Sequence, residues 1–238
     1  MRSPLFDASH NESQSQDPFV LQSNYMLKAT LGAPVVAAKG SMVAYQGQVT
    51  FEHKSSGSFG KMMKRMVTSE DTPLMTVQGQ GDVFFADLGK NVFLIDLDGP
   101  QDALSVSGSN LLAFQSSLEY DVHRVKGAGM LTGGVFNTLL RGQGKVALTC
   151  DATPLILDCS QQPTYVDMNA AVCWSANLTP GIQNSMNVKS MLRGGTGEAF
   201  QYVFHGPGFV VLQPSEGLQI PTNETSSGSA GGIGNLFS

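Results

Sequence analysis

The decapeptide RGQGKVALTC, Arg141 to Cys150, holds the best prospect for phosphate chemistry in the chain. Within it GQGKVA, Gly142 to Ala147, fits the loose pattern G-x-G-x-x-A, which in dinucleotide-binding proteins turns beneath a pyrophosphate and opens a helix. That chemistry depends on the helix, whose first N–H groups and dipole must face the phosphates. Here the following residues, KVALTC, alternate with a period of two and predict a strand. A sister motif, GQGDVF from Gly79 to Phe84, ends in Phe where the pattern wants Gly or Ala. The P-loop pattern fails as well, because Val146 follows Gly144-Lys145 where Ser or Thr is required. Leu139 also stands in place of that motif's first glycine. The glycines therefore predict a tight turn or bulge that needs positive φ.

The remaining reactive residue types do not converge in sequence. A cupin-like metal site needs two His one residue apart with a carboxylate and a third His, but His10, His53, His123 and His205 are isolated. His53 and His123 each come just after a long predicted strand and read as exposed strand ends. No G-x-S-x-G nucleophile elbow occurs. Cys150, Cys159 and Cys173 show no C-x-x-C spacing, and their odd number leaves one without an intrachain partner. They read as buried, reduced thiols. No catalytic residue, metal ligand or cofactor is assigned, and the chain is expected not to be an enzyme.

One segment turns helical. In SFGKMMKRMVTSED, Ser58 to Asp71, a short helix is predicted near 59–67. Lys61, Lys64 and Arg65 share one flank, and Met62, Met63 and Met66 pack opposite. The segment reads either as an insertion helix with a solvated basic rim or as a contact for an anionic membrane surface or a partner protein. For the second reading the contact residues are Lys61, Lys64, Arg65, Met62 and Met66.

Composition sets the frame that must position these groups. Charged residues make up only 14% of the 238, against about 25% in an average soluble domain. A surface so poor in charge is either polar and neutral or covered by a partner. The 27 glycines and 11 prolines, with many Val, Thr and Phe, favour strands and turns. A net charge of −5 argues against a general binder of polyanions, whose affinity comes from Lys and Arg. The opening MRSPLFDASHNESQSQD has no apolar core of a secretory signal, and nothing approaches the ~20 apolar residues of a membrane span. The expected compartment is the cytoplasm, peripheral to a membrane if the basic segment acts there.

Internal periodicity organises the chain. TPLMTVQGQG (72–81), VFNTLLRGQG (135–144) and AFQYVFHGPG (199–208) align without gaps, each ending in G-x-G. Their glycine pairs are Gly79 and Gly81, Gly142 and Gly144, Gly206 and Gly208; the second glycines lie 63 and 64 residues apart. A second landmark interleaves with the first: Ala44-Tyr45, Ala113-Phe114 and Cys173-Trp174, spaced by 69 and 60 residues. These landmarks predict three β-rich units of about 60 residues.

The expected order is a flexible arm (1–17), a first β repeat carrying the basic helix (18–77), a second (78–140), a third (141–204), a closing strand segment (205–220) and a flexible Gly/Ser-rich tail (221–238). Phe209 to Leu212 is expected to supply strand pairing that the first unit lacks, closing the sheet. Strands are predicted near 19–31, 72–78, 82–86, 91–97, 103–107, 110–122, 135–141 and 145–149, among others.

GSMVAYQGQVTFE (40–52), Lys64-Arg65 before Ser69-Glu70, the G-x-G-x-V turns and TYVD…VCW together resemble the altered-inheritance-of-mitochondria "twenty-four" family. The resemblance covers most of residues 18–215, with GSMVAYQG its most specific piece. Cys173, where a small Ala is usual, and the GPG of the third turn depart from it. It implies units similar to subunits of the tryptophan RNA-binding attenuation protein, three in one chain, in a β-sandwich or double-stranded β-helix arrangement, and a ring-like homotrimer. It offers no catalytic residues to carry over, and in eukaryotic relatives it points to mitochondrial membrane organisation. The function expected is a non-enzymatic oligomeric scaffold or adaptor. The alternatives are an RNA-binding ring by fold analogy, which the missing repeated Lys/Arg position argues against, and a small-molecule or metal-binding barrel.

Overall fold

The computed structural model describes residues 2–53, 74–124, 136–184 and 200–215. Over these residues the protein is all-β, with two short 3-10 turns near its start (Pro4–Phe6 and Ala8–His10). β1 (Phe19–Ser23) and β2 (Met26–Leu31) form a hairpin, so the strand expected over 19–31 is broken at Asn24-Tyr25. β3 (Val35–Ala38), β4 (Met42–His53) and β5 (Leu74–Phe85) follow. Next come β6 (Asn91–Ser107), β7 (Leu111–Gln115), β8 (Glu119–Arg124) and β9 (Phe136–Cys150). The last six are β10 (Leu155–Asp158), β11 (Thr164–Asp167), β12 (Ala171–Ser175), β13 (Gly181–Asn184), β14 (Phe200–Phe204) and β15 (Phe209–Leu212).

The glycine pairs explain why several predicted strands merge. Gly79 and Gly81 lie inside β5, and Gly142 and Gly144 inside β9, all with φ between +105° and +157°. The strand bends there without ending, because β4 stays paired with β5 from Met42 to His53 and β6 follows β9 along its length. The boundaries expected at 77/78 and 140/141 therefore fall within continuous strands. Only Gly206 and Gly208 separate two elements, β14 and β15. The expected 110–122 strand is divided by a turn at 116–118, where Leu118 N–H donates to Gln115 O.

The bend gives the two parts of one strand different partners. The first part of β5 (74–78) lies between β3 and β4, and its second part (82–85) between β2 and the start of β4. β9 does the same between β6 and β8, then between β6 and β7. β14 lies between β11 and β13, and β15 between β10 and β12. Strand order in the large sheet is β1-β2-β5-β3-β7-β9-β6-β12-β15-β10, and β11-β14-β13 stand apart as a three-stranded sheet. The expectation that Phe209 to Leu212 closes onto the first unit is corrected by this register, which pairs β15 with β10 and β12.

Apolar residues on the inner faces form three clusters. Phe19, Val77, Val83 and Phe85 pack with Leu112 and Ala113. Leu104, Leu140 and Val146 pack with Val172 and Cys173. The last cluster centres on Trp174, whose ring lies 5.3 Å from that of Phe204 and 5.4 Å from that of Tyr202.

The glycines differ in how closely a neighbour approaches. A Cβ on Gly81 would run into the backbone oxygen of Gln46, whereas one on Gly142 would meet nothing nearer than 3.9 Å. Gly142→Ala should lower stability by about 1–3 kcal/mol through backbone strain alone. Gly81→Ala should cost clearly more, because β4 must also move. Urea denaturation of the two variants checks this, and equal losses would contradict the close contact.

Candidate functional site

Around Gly144 the polar groups of the GQGKVA stretch are engaged within the chain. Lys145 N–H donates to Gln115 Oε1 at 2.7 Å, and Ser117 Oγ–H donates to Gln143 O at 2.9 Å. Leu118 and Ser117 press on the open side of Gly144, where a Cβ would lie 2.7 Å from Ser117 Oγ. Gly208 has a matching setting: Phe209 N–H donates to Ser175 Oγ at 2.8 Å, Asn177 Nδ2 to Pro207 O, and Leu178 covers the glycine. The glycine motif thus receives a loop of its own chain where a cofactor loop would receive phosphate.

Beside it opens a shallow concavity of about 340 Å³, lined among others by Asp96, Asp98, Gln143 and Lys145. Lys145 ion-pairs with Asp96, both of them partly exposed, and Asp98 N–H donates to Asp102 Oδ2 at 2.7 Å. An ion pair so placed contributes little and sets up no nucleophile and base.

The histidines remain dispersed. His10 Nδ1 lies 3.1 Å from Leu5 O near the N-terminus, His205 is exposed beside Gly206, and His53 and His123 fall within β4 and β8. Among the described residues no three His, Cys, Asp or Glu are grouped to hold a metal ion. All three cysteines are buried and unbridged. Burial, with the charge of Asp151 nearby, pushes the Cys150 thiol up to about 11, and burial raises Cys173 further. Both are neutral thiols near pH 7 and poor nucleophiles. The basic segment with Lys61, Met62, Lys64, Arg65 and Met66 lies outside the described residues.

Sequence reading missed one polar cluster. The Lys28 ammonium, 4% exposed, sits 2.8 Å from Glu12 Oε1 and 3.4 Å from Asp82 Oδ2, and donates to Ser13 O at 2.8 Å. Thr30 Oγ1–H donates to Asp82 Oδ1 at 2.6 Å, and Gln46 Nε2 to Glu12 Oε2 at 3.3 Å. Gln22 clasps the same arm, accepting from Ser13 N–H and donating to Asn11 O. Residues 11–13 are thereby tied to β1, β2 and β4, with Lys28 linking them to Asp82 of β5. Burial alone would lower the Lys28 pKa and raise that of Asp82. The hydrogen bonds and opposite charges outweigh burial, so Lys28 ends above and Asp82 below its ordinary value. No periodicity links residue 12 to residue 28, so no sequence signal marks this cluster.

Long antiparallel strands bent at paired glycines, with their polar groups joined to one another, define an all-β protein built on one large antiparallel sheet. The chain belongs to the mitochondrial biogenesis AIM24 family, whose sequence profile matches residues 20–215. Its fold is similar to the crystal structure of protein SPYM3_0169 from Streptococcus pyogenes, with a TM-score of 0.66 at 20% identity, covering 83% of this chain and 92% of that one. No curated protein matches it by sequence. Among the described residues no helix is long and apolar enough to cross a membrane.

The Lys28 cluster sets the pH range over which the arm is held. Asp82, depressed below 3.8, contributes stability above that value and loses it as pH falls through the lower folded value. Lys28, raised above 10.5, contributes below that value and loses it as pH rises through the folded value. Lys28→Met should speed protease cleavage within residues 1–17 several-fold at pH 7 while the sheet stays folded. Unchanged cleavage would show that the cluster does not hold the arm.

Proposed function

We propose that this chain is a non-enzymatic scaffold of three equivalent β units, working as an oligomer, a ring-like homotrimer of the attenuation-protein kind. One observation carries the reading: the same pairing pattern recurs over 26–85, 91–150 and 155–212. In each stretch a pair of strand segments (the parts of β5, the parts of β9, and β14 with β15) forms the middle of two sets of three paired strands. Five residues beyond each second glycine, a backbone N–H returns to the same turn: Ala86 to Ser41 O, Thr149 to Asn110 O and Gln213 to Ala170 O, at 2.8–2.9 Å.

The non-enzymatic part is supported by the loops that take up the polar groups at Gly144 and Gly208. RNA binding fits less well, since a ring that reads a strand uses equivalent basic residues in each unit. Lys145 corresponds to Asp82 and Phe209, and Lys28 to Leu94 and Ile156. The compartment we propose is the cytoplasm, at a membrane surface engaged through Lys61, Lys64 and Arg65 with Met62 and Met66.

Light scattering on the purified full chain should give three times the 25.2 kDa of one chain, and a clean monomer would sink the oligomeric reading. Flotation with anionic liposomes should be lost when Lys61, Lys64 and Arg65 are replaced by Glu. Equal flotation would remove the membrane role.

A further inference from the structure

The pairings that join successive parts of the sheet are of one kind, and they leave one of each half unused. β3 pairs with β7, placing Val35 opposite Gln115, Val36 opposite Phe114 and Ala37 opposite Ala113. β6 pairs with β12 in the corresponding way: Leu104 opposite Ser175, Ser105 opposite Trp174 and Val106 opposite Cys173. A backbone hydrogen bond extends each junction, from Ser116 N–H to Pro34 O and from Ala176 N–H to Ala103 O. Counting from the glycines, the next strand of the β3 and β6 kind is β11, and the β7 and β12 kind begins with the start of β4. Among the described residues β11 pairs only with β14, and β4 only with β5.

Exposure marks the same two edges. Phe114 and Trp174 are 0% and 4% exposed, but Tyr45, which corresponds to them, is 48% exposed. Leu112 and Val172, at the bulge in β7 and β12, are buried, but Val43 at the equivalent bulge of β4 is 56% exposed. On the other side Val36 and Ser105 are each 5% exposed, whereas Tyr165 is 54% exposed. Residues 43–46 and 164–166 carry no charge, although free edges are ordinarily guarded by one.

We infer that these two edges are the halves of one interface, filled by a second copy of this chain. Building on the three-unit reading, β11 of one chain lies antiparallel to the start of β4 of the next. Thr164 then faces Gln46, Tyr165 faces Tyr45 and Val166 faces Ala44, and Gly47 N–H donates to Pro163 O. The join completes a six-stranded sheet, β13-β14-β11 continuing into β4-β5-β2, of the kind that already spans the two internal junctions. Its halves are different surfaces, so the contact is head-to-tail and builds a ring when the rotation closes.

Tyr45→Cys and Tyr165→Cys chains, co-expressed and oxidised, test the register. Directly opposed residues in an antiparallel pair have Cα atoms about 4.5–5.5 Å apart, within disulfide reach. A two-chain disulfide should form from that pair, from neither variant alone, and not from Gln48→Cys with Tyr165→Cys. Should the cysteine variants fold poorly, Tyr165→Asp in the full chain should still drop the mass in light scattering from that of the oligomer to one chain. An oligomer that persists in Tyr165→Asp and gives no Tyr45–Tyr165 cross-link overturns this interface and leaves the oligomeric scaffold standing. A wild-type monomer overturns both. A disulfide within one chain of the double variant, with none from the mixture, shows self-closure and also overturns it.

Discussion

One strand cannot take different partners along its two parts unless its backbone turns between them, and that turn is where the structure is most constrained. At Gly79 and Gly81 the partner strand β4 comes so close that its carbonyls occupy the space of a side chain. At Gly144 and Gly208 a serine and a leucine from the facing loop fill that space. The positive φ and the missing Cβ are needed together, which confines the position to glycine. With the bend in place, β5 and β9 each keep one partner through the bend and take a different second partner on either side of it. The inner apolar residues meet in clusters shared between successive groups of strands.

Those clusters run across the junctions. Leu112 and Ala113 belong to the first cluster although they come from β7, and Val172, Cys173 and Val211 join the middle cluster from later strands. Asn110 adds a polar tie across the same boundary, donating from Nδ2 to Thr149 O at 2.8 Å and to Gln213 Oε1 at 3.0 Å. Buried amides satisfied in this way fix register as well as adding stability.

Much of this was legible in the residues. The 63- and 64-residue spacing of Gly81, Gly144 and Gly208 located the bends, and period-two alternation located nearly every strand. The error at the bends has a physical cause: a glycine pair signals positive φ, and positive φ is compatible with a turn or with a strand that keeps its partners. Sequence favours the turn because the partner's proximity is not written near the glycine. The same limit hid the Lys28 cluster, since Glu12, Lys28 and Asp82 meet only after three segments have folded. It also hid the free edges: Tyr45 matched Phe114 and Trp174 in type, but only burial separates it from them.

Joined chains would cover the edges of β4 and β11 in the native protein. Amide hydrogen exchange of the full chain reads this directly, strand by strand. If the edges join, amides in 43–47 and 164–167 should exchange as slowly as those in β7 and β12. Rapid exchange at both edges, with β5 and β14 still protected, would contradict it.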